Sequence, residues 1–189
     1  MFQLRYPHHS TVSTLSPFGE SQNYIIMAKK YIHHTLEEYV DALSQKTPVP
    51  GGGSAAALTA SVAAALLSMV ANYSIGKSSS KAAGKRIEGV LHKSEHLRKQ
   101  FLELVDLDAQ AYLRVVQSRG AALKERRMAL KEARKVPLKV CRLCYQAVRL
   151  TPILVEEGNK HLLSDVEVAV ELLEAAFNAA LINVRINQG

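Results

Sequence analysis

Hydrophobic residues recur every three or four positions through most of the chain, which is the spacing of one face of an α-helix. Runs of β-branched residues are few, and Ala, Leu, Glu, Lys and Arg dominate, so helix is favoured over strand. The longest apolar stripe consists of Ile87, Val90, Leu91, Leu97, Phe101, Leu104, Val105, Tyr112, Val115 and Val116. The pattern predicts an all-α protein.

Capping and helix-breaking residues divide the chain into successive helices. The capping box Thr35-Leu-Glu-Glu38 begins the first helix, and Pro152 is expected to kink or split the fifth near Thr151. The predicted helices cover approximately Thr35 to Lys46, Ser54 to Ile75, Ser79 to Arg119, Ala121 to Lys135, Pro137 to Gly158, and the stretch that follows a cap at Ser164 or Asp165.

The segment from Ser54 to Ile75 is the apolar centre of the pattern. No charged residue occurs between Thr47 and Gly76, so a membrane span has to be weighed. Ala, Ser and Thr outnumber Leu, Ile and Phe, and small residues occur on every side, which favours a helix closely packed by neighbours. We therefore expect an antiparallel helical bundle, without β-sheet, around this central Ala-rich helix and outside any membrane.

Residues 1–34 precede the helical pattern. Residues 1–26 show no periodicity and no apolar core long enough for a signal peptide, and Met27 begins a more ordinary sequence. We expect residues 1–34 to be a disordered extension and residues 35–189 to be the helical domain of a cytoplasmic protein.

The chain of 189 residues is long enough for one well-buried domain, and its formal net charge is +7. Such a charge is compatible with nucleic acid, a membrane surface or a small polyanion. The basic residues are scattered, however, with Arg126-Arg127 as the only dense spot and few aromatic residues nearby to stack on bases. No nucleic-acid partner is expected.

Two residue pairs suggest metal or redox chemistry but lack its context. Cys141 and Cys144 lie three residues apart inside a predicted helix, without a second pair, so packed, reduced thiols are expected. His92 and His96 have the spacing of zinc ligands on a helix, but charged residues surround them and no third ligand is evident. No metal site is expected.

Asp108 lies within the apolar stripe of the long helix. A carboxylate on a buried face must be neutralised, paired or used for chemistry. The structural alternative is an ion pair with a buried cation such as Arg142 or Arg149. Asp106 lies off the stripe and is expected to be solvated.

The loop Thr47-Pro-Val-Pro-Gly-Gly-Gly-Ser54 precedes the central helix. Ser54 offers an N-cap hydroxyl, and the three glycines leave the main chain open to close approach by a ligand. The free N–H groups and the positive end of the helix would attract an anion. Alternatively, the glycines only permit a tight turn onto a crowded helix.

Together these segments resemble the cyclodeaminase/cyclohydrolase family, and the loop followed by the Ala-rich helix is the most specific match. The resemblance spans about residue 35 to the end of the sequence. The sequence stops at Gly189, whereas the family pattern continues for one more helix. The other matching segments are Met69-Val-Ala-Asn72, Gly76-Lys77, Asp108-x-x-Ala-Tyr112, Val136-Pro-Leu138, Gly158-Asn159 with Ser164-Asp165, and Asn183-Val-Arg-Ile-Asn187.

The resemblance implies a folate enzyme that works as a homodimer, with its folate site near the subunit interface. In a cyclodeaminase, N10 of tetrahydrofolate attacks the formimino carbon on N5 and ammonia leaves; in a cyclohydrolase, water opens the 5,10-methenyl bridge. Both reactions pass through a tetrahedral carbon between two nitrogens, so both benefit from a nearby carboxylate. Formimidoyltetrahydrofolate cyclodeaminase is the expected activity. Methenyltetrahydrofolate cyclohydrolase is the alternative, and a non-catalytic folate-binding or helical interaction subunit is a further one.

The expected catalytic residues are Asp108, as proton acceptor or stabiliser of the cationic bridge, and Asp165, as the complementary acid. Asp165 and Asn183 lie five helical turns apart, about 27 Å, so only a long ligand could reach both. Lys77 could bind the glutamate tail of the folate, which can carry more than one glutamate. Alternatively, it is an ordinary lysine at the helix C-terminus that complements the helix dipole. No cofactor is expected beyond the tetrahydrofolate substrate. The expected substrate-binding residues are Pro50, Gly51, Gly52, Gly53, Ser54, Asn72, Lys77, Asn159, Ser164 and Asn183.

Overall fold

The computed structural model describes residues 30–77 and 80–187, and this part of the chain contains helices and no strand. The α-helices are α1 (Leu36–Ser44), α2 (Gly52–Ser74), α3 (Lys81–Gln117), α4 (Leu123–Val148), α5 (Thr151–Glu157) and α6 (Leu163–Ile186). Short 3-10 turns occupy Tyr31–His33, Ser118–Gly120 and Lys160–Leu162. The all-α prediction is confirmed.

Two of the six helices in the described residues begin at a side-chain cap. The Thr35 side chain accepts a hydrogen bond from the Glu38 N–H, and the Glu38 side chain accepts one from the Thr35 N–H, which completes the capping box of α1. The Ser80 hydroxyl accepts from the Ala83 N–H and caps α3. These starts are readable from sequence because each involves residues within one turn. The predicted cap of α6 at Ser164 or Asp165 is wrong, since α6 begins at Leu163 without a side-chain cap.

The predicted break at Pro137 is wrong. Pro137 lies inside α4, which continues unbroken from Leu123 to Val148. Its ring is buried beside the equally buried Ala133, and the packing of α4 outweighs the hydrogen bond that a proline cannot donate. The chain breaks instead at Arg149–Leu150, with Pro152 in the first turn of α5, as predicted near Thr151.

The central position of α2 is confirmed, with one qualification. The helix packs against α3 and α6 and reaches α4, and thirteen of its residues are buried. By length and composition alone it could cross a membrane, but 61% of its most apolar window is buried inside the bundle, as in a core helix. One face remains uncovered, since Val62 is 48% exposed and Tyr73 is 57% exposed.

The neighbours of α2 run antiparallel to it. The start of α2 at Gly52 shares a cavity with Asp108 of α3 and Asn183 of α6, both of which lie toward the ends of their helices. At the other end of the bundle, the Asn159 N–H donates to the Ser74 Oγ at 2.8 Å, just before α6 begins. The bundle therefore has one end with the loop before α2 and an opposite end with the loop before α6.

The prediction that Asp106 is solvated is wrong, because residues before α1 cover it. Asp106 is 6% exposed, and its Oδ1 accepts a hydrogen bond from the Tyr31 N–H at 2.6 Å. Tyr31 and Ile32 also pack against the hydrophobic core, so the compact unit begins at Tyr31 rather than at residue 35. The rest of the predicted extension, residues 1–29, lies outside the described residues.

Candidate active site

A cavity of about 310 Å³ lies at the end of the bundle where α2 begins. Its volume is at the lower end of the range for ligand pockets and suits a ring system better than a complete long ligand. The lining residues are Pro48, Val49, Gly51, Gly52, Gly53, Asp108, Ala111, Tyr112, Ala133, Asn183, Ile186 and Asn187. Asp108 is the only carboxylate among them.

Asp108 reaches this cavity from α3 and rests on the first turn of α2. A methyl group added to Gly53 would overlap its carboxylate, so the two residues are in direct contact. Burial raises the pKa of Asp108 to about 6, and a hydrogen bond from the Ser54 main chain acts in the opposite direction. Asp108 is thus ionised at neutral pH yet close to its protonation point, as a general base should be.

The structural alternative, an ion pair between Asp108 and Arg142 or Arg149, is wrong. Both arginines are exposed, and the Arg149 guanidinium lies 5.8 Å from the centroid of the Tyr145 ring. In the part of the chain that the structure describes, no cation forms an ion pair with Asp108. Its carboxylate is therefore available to a ligand in the cavity.

The three glycines of the loop differ in what they permit. Gly51 is the N-cap of α2 in an extended conformation, and none of the three has positive φ; Gly76, at +76°, is the only described residue that does. A Cβ on Gly52 would lie 3.9 Å from Asn183 Nδ2, which is ordinary contact. Only Gly53 must lack a side chain, and its partner is Asp108, a contact that sequence reasoning did not foresee.

Ser54 is not the N-cap of α2, contrary to expectation, because the helix begins two residues earlier at Gly52. Its side chain is fully buried, and its Oγ lies 3.0 Å from the Tyr39 hydroxyl of α1. Tyr39 had no place among the predicted site residues. Nothing in its local sequence distinguishes it from an ordinary core tyrosine, so only the packing of α1 against α2 reveals it.

The predicted site residues fall into two groups at opposite ends of the bundle. Of the predicted residues, Gly51, Gly52, Gly53, Asp108 and Asn183 line the cavity at the α2 start, with Tyr112 and Asn187 as additional lining residues. Pro50 and Ser54 belong to the same segment but are not among the lining residues. The other group is not brought to Asp108 within one chain, since α2 alone is about 33 Å long. It contains Asn72, Lys77, Asn159, Ser164 and Asp165.

A larger cavity of about 590 Å³ lies away from Asp108, between α3, α4 and α5. Its polar side chains, His92, Lys93, His96, Gln146 and Arg149, surround an apolar floor on the protein surface. Its lining residues include no carboxylate, so it lacks the group that chemistry at a cationic carbon would need.

The raised pKa of Asp108 predicts a pH dependence of stability. The folded state binds the proton more tightly than the unfolded state, where the pKa is near 3.8, so stability should fall as pH rises from about 4 to about 6. One group with this difference contributes about 3 kcal/mol to the free energy of unfolding. Urea unfolding between pH 3.5 and 7.5 should show a decline in wild type that is absent in Asp108→Asn. Equal profiles for both proteins would contradict the raised pKa.

Comparisons with known proteins agree on one family. A family model described as formiminotransferase-cyclodeaminase matches residues 35–189. A methenyltetrahydrofolate cyclohydrolase from Methylorubrum extorquens is 35% identical, over 82% of this chain and 79% of that protein. The formimidoyltransferase-cyclodeaminase of Gallus gallus is 28% identical over 93% of this chain.

A solved structure shares the fold. The crystal structure of formiminotetrahydrofolate cyclodeaminase from Thermotoga maritima superposes with a TM-score of 0.79 at 32% identity, covering 82% of this chain and 78% of that one. By contrast, the chain spans only 36% of the Gallus gallus protein and 30% of the Mus musculus formimidoyltransferase-cyclodeaminase.

Proposed function

This chain belongs to the formiminotransferase-cyclodeaminase family, and we propose that it is a folate one-carbon enzyme acting at the N5–N10 bridge. Its expected reaction is that of a formimidoyltetrahydrofolate cyclodeaminase. The observation that carries the proposal is the carboxylate of Asp108, free of any cation in the described chain and facing a cavity at the start of α2. The similarity to the Thermotoga maritima cyclodeaminase supports the same reaction.

In the proposed mechanism the bridge carbon lies beside Asp108. As N10 attacks the formimino carbon on N5, Asp108 accepts the N10 proton and a tetrahedral carbon forms between the two nitrogens. The exocyclic amino group then takes this proton from Asp108 and leaves as ammonia, which produces the 5,10-methenyl cation and restores the carboxylate. The carboxylate near this cation also stabilises the developing positive charge.

The hydrolytic reaction is the second candidate, and the Methylorubrum extorquens relative favours it. That cyclohydrolase is matched over 79% of its length, so it is a chain of similar size rather than part of a larger protein. With methenyltetrahydrofolate as substrate, Asp108 accepts a proton from the attacking water and passes it to the nitrogen whose bond to the bridge carbon breaks. The hydroxyl left on the bridge carbon loses its proton to solvent, which gives the formyl compound.

Two assays separate these functions. Purified protein is incubated with 5,10-methenyltetrahydrofolate, and loss of its absorbance reports hydrolysis. It is then given 5-formiminotetrahydrofolate, with ammonia measured in parallel with the appearance of the methenyl chromophore. Ammonia and chromophore together support the cyclodeaminase, whereas catalysed chromophore loss alone supports the cyclohydrolase. If neither occurs while folate still binds, the protein is a binding subunit.

The uncovered face of α2 supports a homodimer. In addition to Val62 and Tyr73, this face contains partly exposed residues spaced by three or four, and none of them is charged: Ala55, Leu58, Thr59, Ala65, Leu66 and Met69. A self-complementary apolar face of this kind suits a twofold interface. Because Val62 lies near the middle of α2, antiparallel pairing of two such faces would place the partner's Lys77 end near the Asp108 cavity.

This arrangement would reunite the two groups of predicted site residues. Asn72 and Lys77 are exposed at the end of α2, and Asn159 is joined to the same end through Ser74. We place the glutamate tail of the folate, single or multiple, along the partner's residues at this end, and Asp165 and Ser164 there as polar contacts. The free, buried thiols of Cys141 and Cys144 support our placement of the enzyme in a reducing compartment, for which we propose the cytoplasm.

Val62→Arg is expected to convert the dimer to a monomer, because it places a charge in the centre of an apolar interface. Sedimentation at micromolar concentration measures the change. The matched control is Val40→Arg, since Val40 is 60% exposed on α1 and off the α2 face. A dimer that persists in Val62→Arg, or a wild-type monomer, would contradict this interface. Loss of activity together with dissociation would support a site shared by two subunits.

A further inference from the structure

The segment Tyr31–Tyr39, here called the N-terminal strap, contacts both helices that form the Asp108 site. At its first residue, the Tyr31 N–H donates to Asp106 Oδ1 at 2.6 Å. Asp106 is 6% exposed, and its Oδ2 is buried without a hydrogen-bond partner in the described chain. Burying a carboxylate that makes a single main-chain contact costs free energy. The burial of Asp106 therefore requires an explanation, and its contact with the strap suggests one.

The other end of the strap contacts the start of α2. Tyr39 is 5% exposed, and its hydroxyl lies 3.0 Å from the Oγ of Ser54, which is fully buried. The Tyr31 and Tyr39 rings pack edge to face, with centroids 6.1 Å apart, so the two ends of the strap support each other. Asp106 on α3 is thereby linked to Ser54 on α2 through Tyr31 and Tyr39.

Ser54 connects the strap to Asp108, because its neighbour Gly53 in the first turn of α2 lies directly against the Asp108 carboxylate. The Ser54 main chain also favours the ionised carboxylate and so lowers the pKa of Asp108. We propose that Asp106 and Tyr39 are positioning residues: through the strap they hold Ser54 and the first turn of α2 against Asp108. Asp106 and Asp108 are two residues apart on α3, so one helix contributes both the carboxylate that faces the cavity and the carboxylate that secures its support. This role rests on the proposed function.

The contact has a predictable effect on titration. The Ser54 N–H favours the ionised carboxylate, so loosening it should raise the pKa of Asp108 further above its ordinary value. Burial raises the pKa of Tyr39, and the charge of Asp108 adds a smaller increase, so Tyr39 stays neutral across the relevant range. The side chains that line the cavity are Pro48 and Val49 from the loop, Ala111 and Tyr112 from α3, Ala133 from α4, Asn183 and Ile186 from α6, and Asn187 at the C-cap of α6. Tyr39 from α1 is close enough for the charge of Asp108 to affect its pKa.

The test compares Tyr39→Phe, Asp106→Leu and Asp106→Asn. Tyr39→Phe and Asp106→Leu should lower kcat about tenfold with KM within about twofold of wild type, and should move the acidic limb of the kcat profile upward by about half a pH unit or more. Asp106→Asn should restore near-normal values, because its amide oxygen can still accept from the Tyr31 N–H. Val40→Ala, on the exposed side of α1, is the matched control.

A second readout does not depend on turnover. Urea unfolding of the same variants measures the pH at which stability declines as Asp108 ionises. This midpoint should move upward together with the acidic limb of the kcat profile. If wild type turns over neither folate substrate, the proposed function fails, while this shift still supports the strap's role. The role is overturned if Tyr39→Phe, which removes a single oxygen, leaves kcat per folded molecule and both pH midpoints unchanged. It is also overturned if Asp106→Asn is as impaired as Asp106→Leu.

Discussion

Asp108→Asn is expected to lower kcat of the folate reaction by about 100-fold or more while folate affinity stays nearly unchanged. Asparagine has the size of aspartate and still offers an oxygen to the Ser54 N–H, but it cannot accept a proton. Stability at pH 7 should rise rather than fall, because no cation in the described chain loses a partner and a buried carboxylate no longer has to ionise.

Three measurements check this result: steady-state kinetics, equilibrium binding of the folate, and urea unfolding at pH 7. Glu103→Gln is the matched control, since Glu103 is an exposed carboxylate on the same helix. Near-normal turnover in a folded Asp108→Asn protein would remove Asp108 from the mechanism. A stability loss of about 3 kcal/mol with normal turnover would instead indicate a structural ion pair.

Gly53→Ala is expected to reduce turnover by about 100-fold or more, because its methyl group would occupy the space of the Asp108 carboxylate. Either the carboxylate rotates away from the cavity or the first turn of α2 moves, and overpacking of this kind costs about 1–3 kcal/mol. Kinetics per folded molecule and urea unfolding distinguish the loss of chemistry from the loss of fold.

Two other glycine variants calibrate that effect. Gly52→Ala adds a methyl group that meets only Asn183 Nδ2, at 3.9 Å, so its loss of turnover should be at least about tenfold smaller. Gly89→Ala lies within α3, where the added group meets nothing within 4 Å, and should stabilise the protein by about 1 kcal/mol without affecting turnover. Equal losses in Gly52→Ala and Gly53→Ala would show that the glycines act as a flexible loop rather than through the Asp108 contact.

Much of the fold could be predicted from the sequence because the signals are local. The capping box at Thr35 and the Ser80 cap involve atoms within one helical turn, and the apolar stripe of α3 follows from helical spacing alone. The same spacing singled out Asp108 as a carboxylate on a buried face. The charge-free composition of α2 likewise identified the central helix before its neighbours were known.

Predictions failed where packing overrode a local preference. A proline normally ends a helix, but at Pro137 the burial of the ring within α4 outweighs one missing hydrogen bond. Asp106 lies off the apolar stripe and would be solvated on an isolated helix, yet the Tyr31 turn covers it. For Asp106 the deciding neighbour comes from a different element, and helical periodicity contains no information about that neighbour.

The sequence by itself determined the all-helical class, the central helix, the glycine loop and the unusual carboxylate at Asp108. Only the tertiary structure decided that Gly53, rather than all three glycines, must lack a side chain, and that Ser54 and Tyr39 form a pair behind Asp108. The tertiary structure also decided that Asp165 and Asp108 lie at opposite ends of the bundle. The physical reason is that periodicity defines which face of a helix is apolar, whereas contacts between side chains distant in sequence depend on how the helices are rotated and packed.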